Sequence, residues 1–492
     1  MEIGNTAKSV VVGRQAWLTL AILSSTLLTV FFSETMLLPA LPEIIRDFSI
    51  SYGTAAWIFS AYLIVAAVMT PVAGRLSDLY GKKKVLLTLL AIYLAGLTAG
   101  GFADNISFLL ATRIIQGMGL AAVPAAFSLL RDTFPPAKLP LAIGVFGSAY
   151  SAGSVVGLLA GASIIQNFGW HATFLAIVPF SALVTLMIAK FVKENNATVA
   201  HSSPKASGPS EIVPKAAAID IRGVLALSAT IASFLIALTL IQVGISSANL
   251  PQIAAAFVAS GVSLAVFVML ERKIVPPFLD LRLLKNKILL PAFLLLISTG
   301  ITMFMIYPTI VQLVRSPIPL GFGGSAVDAA NVQLPFMIAF LIFSAITPFI
   351  INRIGSVKPA VIGGIVSLIG AIGLLVFHST GLETSINLAL VASGLSLTMT
   401  STWNVVVSFS PREFMGISTG VGALLLFIGM AIGPALAGVY LENRATVPGV
   451  SGLYPSPASY NVVFLTAGLL SAATLVFGSM LIKRASNKVI AA

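Results

Sequence analysis

Fourteen separate runs of mostly apolar residues follow one another along this chain, each about the 20 residues that a helix needs to cross a bilayer. They lie near 16–38, 54–73, 85–103, 106–128, 139–164, 172–189 and 223–245, then near 250–270, 288–312, 330–351, 359–377, 384–407, 414–440 and 461–482. Lipid offers no partner to an amide left unpaired, and a helix closes its hydrogen bonds within one segment, so the runs predict an all-α membrane protein. Composition agrees. A soluble domain carries roughly 25% charged residues, whereas this chain of 492 residues has 9% charged and 58% hydrophobic. The first run exceeds the 7 to 15 residues of a signal-peptide core, and no clear cleavage site follows it, so it is read as a retained span.

The net charge of +12 would suggest nucleic acid as the partner of a soluble protein. In a membrane chain, Lys and Arg gather in the cytoplasmic loops for topological reasons alone, and no nucleic-acid partner is expected. An even number of spans puts both termini on one side. Of the 28 Lys and Arg, 24 fall at the termini and in the loops on that side; the opposite loops hold only Arg46, Arg315 and Arg444, and Arg113 lies inside a span. Both termini are therefore expected in the cytoplasm of a cell-membrane protein. Reporter fusions at Ala206 and Asn487 should both give a cytoplasmic signal, and an external signal from either would overturn this orientation.

There is no Cys, which removes disulfides, thiol chemistry and Cys-ligated metal. His171, His201 and His378 are far apart without ligand spacing. No nucleophile and base pair stands out, so no enzyme, metal or cofactor is expected.

Residues 193–222 contain Pro204, Pro209, Pro214, several Ser and scattered charges. They read as a cytoplasmic linker between two halves. The domain reading is a six-helix half at 1–192, the linker at 193–222, an extra helix pair at 223–271, a connector at 272–287 and a second six-helix half at 288–492. The halves look like copies: Thr70, Pro71, Arg75 and Gly81 in the first are matched, with gaps, by Thr347, Pro348, Arg353 and Gly355 in the second. A further pairing sets FPPAKLPLAIGVFG from Phe134 beside SPREFMGISTGVG from Ser410. Repeated halves in a membrane protein point to a binding site near the midplane between them, with alternating access by rocking.

The stretch GRLSDLYGKKKVL from Gly74 is open to more than one reading. A phosphate loop needs four residues between its glycines, and here six intervene, so nucleotide binding is a poor fit. Gly74 and Gly81 permit a close approach and a tight turn. Asp78 can cap the next helix or pair with a cation, and Lys82 to Lys84 stay on the cytoplasmic side. The bland alternative is a turn whose lysines merely set topology.

Here a family resemblance enters. With the preceding AAWIFSAYLIV, this stretch resembles the loop signature between helices 2 and 3 of the major facilitator superfamily. RIIQGMG from Arg113 is similar to that superfamily's helix 4 motif, ALPEI from Ala40 resembles the end of the first helix in drug exporters, and MLERKIVPPFLDLRLLKNK from Met269 resembles the segment after the extra helix pair of fourteen-helix drug:proton antiporters. The resemblance implies two pseudo-symmetric six-helix halves plus an extra helix pair, with Gly74, Arg75, Asp78 and Gly81 forming a cytoplasmic gate. It also implies a monomer that exports lipophilic or amphipathic small molecules against a flow of protons, with the gradient as energy source and no cofactor. A symporter, a metabolite or lipid exporter, and a receptor or scaffold that moves nothing stay open beside it.

The sequence departs from the antiporter pattern in two places. In the fifth run, SAGSVVGLLAGA keeps Gly153, Gly157 and Gly161 at small-residue spacing but has Leu158 where the pattern carries Pro. The corresponding run of the second half, GMAIGPALAG, contains Gly433 and Pro434; ordinary helix packing accounts equally well for both. In the first run, Ser33 holds the place of the usual acid and Glu34 lies one residue on, about 100° around the helix.

By these spans, Glu34 and Arg113 are the charges within the membrane, and such charges usually face a cavity or a partner. At 1.5 Å per residue both fall in the outer half, Arg113 about 10 Å and Glu34 about 6 to 12 Å below the outer ends of their helices. Two roles are open. One is a structural ion pair; the other is a protonatable Glu34, tuned by Arg113, that couples protons to transport or attracts cationic substrate.

Overall fold

The computed structural model describes residues 12–135, 138–193, 221–242, 249–273, 283–410, 415–448 and 450–490. Among them the apolar runs close their amides within themselves as helices. In chain order these are α1 (Arg14–Thr35), α2 (Leu41–Asp47), α3 (Tyr52–Tyr80), α4 (Lys82–Gly100), α5 (Ile106–Ala121), α6 (Val123–Thr133), α7 (Leu139–Phe168) and α8 (His171–Phe191). They continue as α9 (Ile221–Gln242), α10 (Leu250–Lys273), α11 (Leu289–Arg315), α12 (Ala326–Ile354), α13 (Lys358–Val376), α14 (Gly381–Phe409), α15 (Met415–Leu441) and α16 (Pro457–Ile490).

Among the described residues, fourteen spans are long and apolar enough to cross a membrane. Two of them are broken. The first runs from Arg14 to Asp47 through a 3-10 turn at Leu38–Ala40, where Pro39 and Pro42 remove amide donors that an unbroken helix would need. The fourth joins α5 to α6 at Ala122, just ahead of Pro124. The end of the bundle that carries Lys82, Lys190, Lys358 and Lys483 is called lysine-rich below, and the end that carries Arg46, Arg315 and Arg444 lysine-poor.

Among the described residues, one element departs from the all-helical pattern. After α15 the strands β1 (Arg444–Val447) and β2 (Val450–Pro455) form an antiparallel hairpin at the lysine-poor end, with Arg444 opposite Pro455. It lies between two membrane runs and is too short for a period-2 pattern to stand out.

Packing partners repeat along the chain. Among the first six spans, α1 packs on α7 and α8, α3 on α5, and α4 on α5 and α8. Among the last six, α11 packs on α15 and α16, α12 on α14, and α13 on α14 and α16, the same pattern shifted along the sequence. The two sets meet where α3 lies against α15 and α7 against α12. The helices α9 and α10 pack on each other, and α9 rests on α3 and α15, with Trp57 Nε1 donating to Thr239 Oγ1 at 2.7 Å. The extra pair thus covers one of the two seams between the sets.

Candidate functional site

The site is built where α1 is pulled against α7. The glycines of α7 make this possible. A Cβ on Gly161 would sit 2.6 Å from Met36 O, one on Gly153 would fall on the Leu28 carbonyl, and one on Gly157 on Phe32 and Thr35. Thr35 Oγ1 uses the closeness to donate to Ser154 O at 2.9 Å. In the second set, Gly433 would meet Ile301 O at 2.7 Å and Gly429 the Ile297 carbonyl, so α15 lies on α11 in the same manner. Leu158 is buried at the place that corresponds to Pro434, which stands inside α15. Both stripes therefore mediate close helix packing, and the same spacing puts Met303 where Glu34 stands in the first set.

Glu34 is 2% exposed, and neither of its carboxyl oxygens has a hydrogen-bond partner. The first helical stretch runs on to Asp47, well beyond the end at residue 38 read from the apolar run, so Glu34 lies about 20 Å along the chain from that end at 1.5 Å per residue. Past residue 38 the chain turns through Pro39 and Pro42 and continues as α2.

Arg113 is fully buried on α5 and is held by other groups. Its Nε donates to Ile58 O at 3.0 Å, and Nη1 donates to Gln116 Oε1 at 2.8 Å and to Ser33 O at 3.3 Å. The guanidinium carbon lies 4.2 Å from the centre of the Tyr62 ring, and Nη2 has no partner. A buried guanidinium is tolerable on such terms, because carbonyl dipoles and an aromatic face replace its water. Gln116 Nε2 in turn donates to Gly96 O at 3.1 Å, and Tyr93 OH to Thr29 O at 3.1 Å, tying α4, α5 and α1 around the clamp.

Of the two roles left open for Glu34 and Arg113, the structural ion pair is not formed: no guanidinium nitrogen lies within 4.0 Å of a Glu34 carboxyl oxygen. Glu34 lies one residue beyond the Ser33 carbonyl that Arg113 grips, on a different face of α1.

Aromatic rings surround this point from both sets of helices. Phe31 meets Tyr150 edge-on at 4.1 Å, Tyr150 lies 6.2 Å from Phe340, and Phe340 stacks on Phe336 at 6.3 Å. Phe336 continues to Tyr307 at 5.2 Å, whose OH donates to Met337 Sδ at 3.6 Å. Sequence reading missed this chain of rings, Tyr62 and Gln116. The one available signal was Gln116, three residues after Arg113 and so on the same helical face; the rings come from four different helices and have no common spacing.

At the lysine-rich end, α3 runs through Gly74, Arg75 and Asp78, and Gly81, at φ +97°, ends it and starts α4. The tight turn is as expected, but Asp78 belongs to the last turns of α3 rather than to the cap of α4, a place that Gly81 takes. A Cβ on Gly74 would meet nothing within 4 Å, so the close approach expected there is not made in this conformation. Lys82 pairs with Asp132 of α6, and Lys83 Nζ donates to Ala189 O of α8 at 2.8 Å. The side chains of Arg75 and Asp78 lie outside the described residues.

Comparison with known proteins agrees with this architecture. The family profile described as Major Facilitator Superfamily matches residues 23–434. Multidrug resistance protein 3 of Bacillus subtilis (strain 168) is 28% identical over 443 residues, 87% of this chain and 81% of that protein. The tetracenomycin C resistance and export protein of Streptomyces glaucescens is 26% identical over 448 residues, 90% and 79%. Among solved structures, the human organic anion transporter MFSD10 (TETRAN) superposes with a TM-score of 0.63 at 17% identity, covering 95% of this chain and 99% of that one, which is a likeness of fold alone. The chain belongs to the major facilitator superfamily and is a membrane transporter, not an enzyme.

Proposed function

We propose that this transporter exports lipophilic or amphipathic small molecules in exchange for protons, by alternating access of the six-helix halves at 1–192 and 288–492. The observation that carries this reading is Glu34, enclosed within the first span with two unpartnered oxygens and flanked by the Arg113 clamp. A carboxylate without a donor in such a place costs several kcal/mol, so the enclosed geometry fits the acid with its proton on. Opening toward one side would hydrate the group and let the proton leave. Multidrug resistance and export relatives support small organic molecules as substrates. The rings of Phe31, Tyr150, Phe340 and Tyr307 supply an apolar, polarisable wall for them. The protein is proposed to work as a monomer in the cell membrane with its lysine-rich end in the cytoplasm, the proton gradient its energy source.

The test is transport by the purified protein in proteoliposomes, with a fluorescent lipophilic amine as probe. Accumulation against its gradient that needs an imposed pH gradient, with protons moving the opposite way, is the expected result. Proton flux in the same direction as the probe would make it a symporter, and no flux of either kind would refute the exporter reading.

The gate motif gives a separate expectation. Asp78→Asn keeps the size and removes the charge, so transport should fall several-fold while the protein still inserts and folds. Wild-type rates in that variant would return the motif to a purely topological role.

A further inference from the structure

Polar bonds between described residues of the first six and last six spans gather toward the lysine-poor end. Arg315, the last residue of α11, donates from Nη1 to Pro39 O at 3.4 Å and from Nη2 to the Glu43 carboxylate. The two charged side chains are 17% and 19% exposed, which shields the pair from much of the screening that weakens surface ion pairs. Beside it, Gly53 N–H donates to Glu442 Oε1 at 3.3 Å, and Arg444, paired with Glu442 at 2.5 Å, holds its guanidinium 5.3 Å from the Tyr52 ring. Deeper in, Ser60 Oγ donates to Ala431 O at 2.7 Å.

The position of the Arg315 contact in the first span matters more than the pair itself. Pro39 belongs to the Leu38–Ala40 turn, where the backbone leaves the α-helix, and Glu34 lies about one helical turn before it. That turn touches α7 from its own set and α11 and α12 from the other. A short 3-10 segment inside a longer helix is a place where the chain can rewind at low cost. Arg315 therefore grips from one half the joint of the helix that carries the buried carboxyl of the other.

We propose that Arg315 is a positioning residue of the transport cycle: by holding Glu43 and the Leu38–Ala40 turn it keeps the lysine-poor mouth shut, and a change in the charge of Glu34 loosens this grip through that turn. The proposal rests on the alternating-access reading above, but its test reads conformation and needs no substrate.

The chain has no Cys, so an introduced one is the only thiol. Ala437 is 1% exposed and lines a small cavity beneath the bridged end with Leu41, Tyr52, Ala56 and Pro308. In sealed vesicles, Ala437→Cys should react slowly with a membrane-impermeant maleimide applied from the lysine-poor side. Adding Arg315→Gln should raise that rate about tenfold, the population change that loss of one partly buried ion pair brings, and the exchange Glu43→Arg with Arg315→Glu should bring it back toward the parent rate. Glu34→Gln, which keeps the group uncharged, should lower the rate with Arg315 present and leave it unaltered with Arg315→Gln, the non-additivity expected of coupled sites. An unaltered rate in Arg315→Gln would overturn the proposal, as would an equal rise in Arg46→Gln, whose exposed side chain pairs with the adjoining Asp47. Additive effects of Glu34→Gln and Arg315→Gln would overturn the coupling. A protein that moves no solute yet shows the tenfold rise would keep the latch and lose the exporter reading.

Discussion

Glu34→Gln is expected to abolish transport driven by a pH gradient in proteoliposomes while leaving expression, insertion and thermal stability close to the parent. The amide has nearly the same volume as the acid, so the packing around α1 has no reason to change. It cannot exchange a proton, and in an exporter that returns protons through this group the cycle would stall after one half. In the enclosed conformation neither oxygen of Glu34 has a partner, so no hydrogen bond is lost on substitution. Stability that stays level while transport falls to background separates a coupling role from a structural one. If pH-driven transport and substrate range are both unaffected, Glu34 is a tolerated polar residue and the proton site lies elsewhere. Arg113→Lys is a companion variant with the opposite signature. It keeps the charge but loses the forked bonds to Ile58, Ser33 and Gln116, so it should lower stability as well as transport, at about 1–3 kcal/mol for the buried Gln116 oxygen left unpaired.

Gly157→Leu is expected to prevent recovery of folded protein. A Cβ at that position already overlaps Phe32 O and Thr35 Oγ1, atoms of the backbone and side chain of α1 that have no room to withdraw. Overpacking a close-packed contact typically costs about 1–3 kcal/mol and more where backbone must shift, and here the Thr35 bond to Ser154 O would be lost with it. Gly433→Leu should behave alike, since its added atoms would press on Ile301 O and Met305 N, each 2.7 Å from a Cβ. Gly74→Ala is the contrast. With nothing within 4 Å of its Cβ, it should fold normally and, as a helix-interior glycine replaced by alanine, gain about 0.5–1 kcal/mol. The measurements are the monodisperse fraction in mild detergent and the midpoint of thermal unfolding. A well-folded Gly157→Leu would show that α1 and α7 do not depend on their close contact.

Membrane crossing was legible from sequence for a simple reason. A bilayer asks one question of a segment, whether about 20 consecutive residues are apolar, and fourteen runs answer it locally, without reference to any partner. The motifs were legible in part. Gly81 was read as a turn, and its φ of +97° is a local backbone demand of the kind that one residue type reveals. Gly153, Gly157 and Gly161 were read as a packing face because their spacing of four puts them on one side of a helix. Which helix they meet was not readable, and the structure names it as α1.

What the sequence by itself determined is therefore the set of spans, the asymmetry of charge between their ends and the identity of the two charges that lipid would not tolerate without reason. What only the tertiary structure decided is how those charges are arranged. Arg113 is bonded to carbonyls of α3 and α1, Glu34 is left without a partner, and Arg315 reaches Glu43 and Pro39 across the junction. Each of these outcomes depends on the rotation of one helix about its axis relative to another, where a single residue is about 100°. That rotation is fixed by close packing between helices distant in the chain, as of α7 on α1 and α15 on α11, and no local pattern records it.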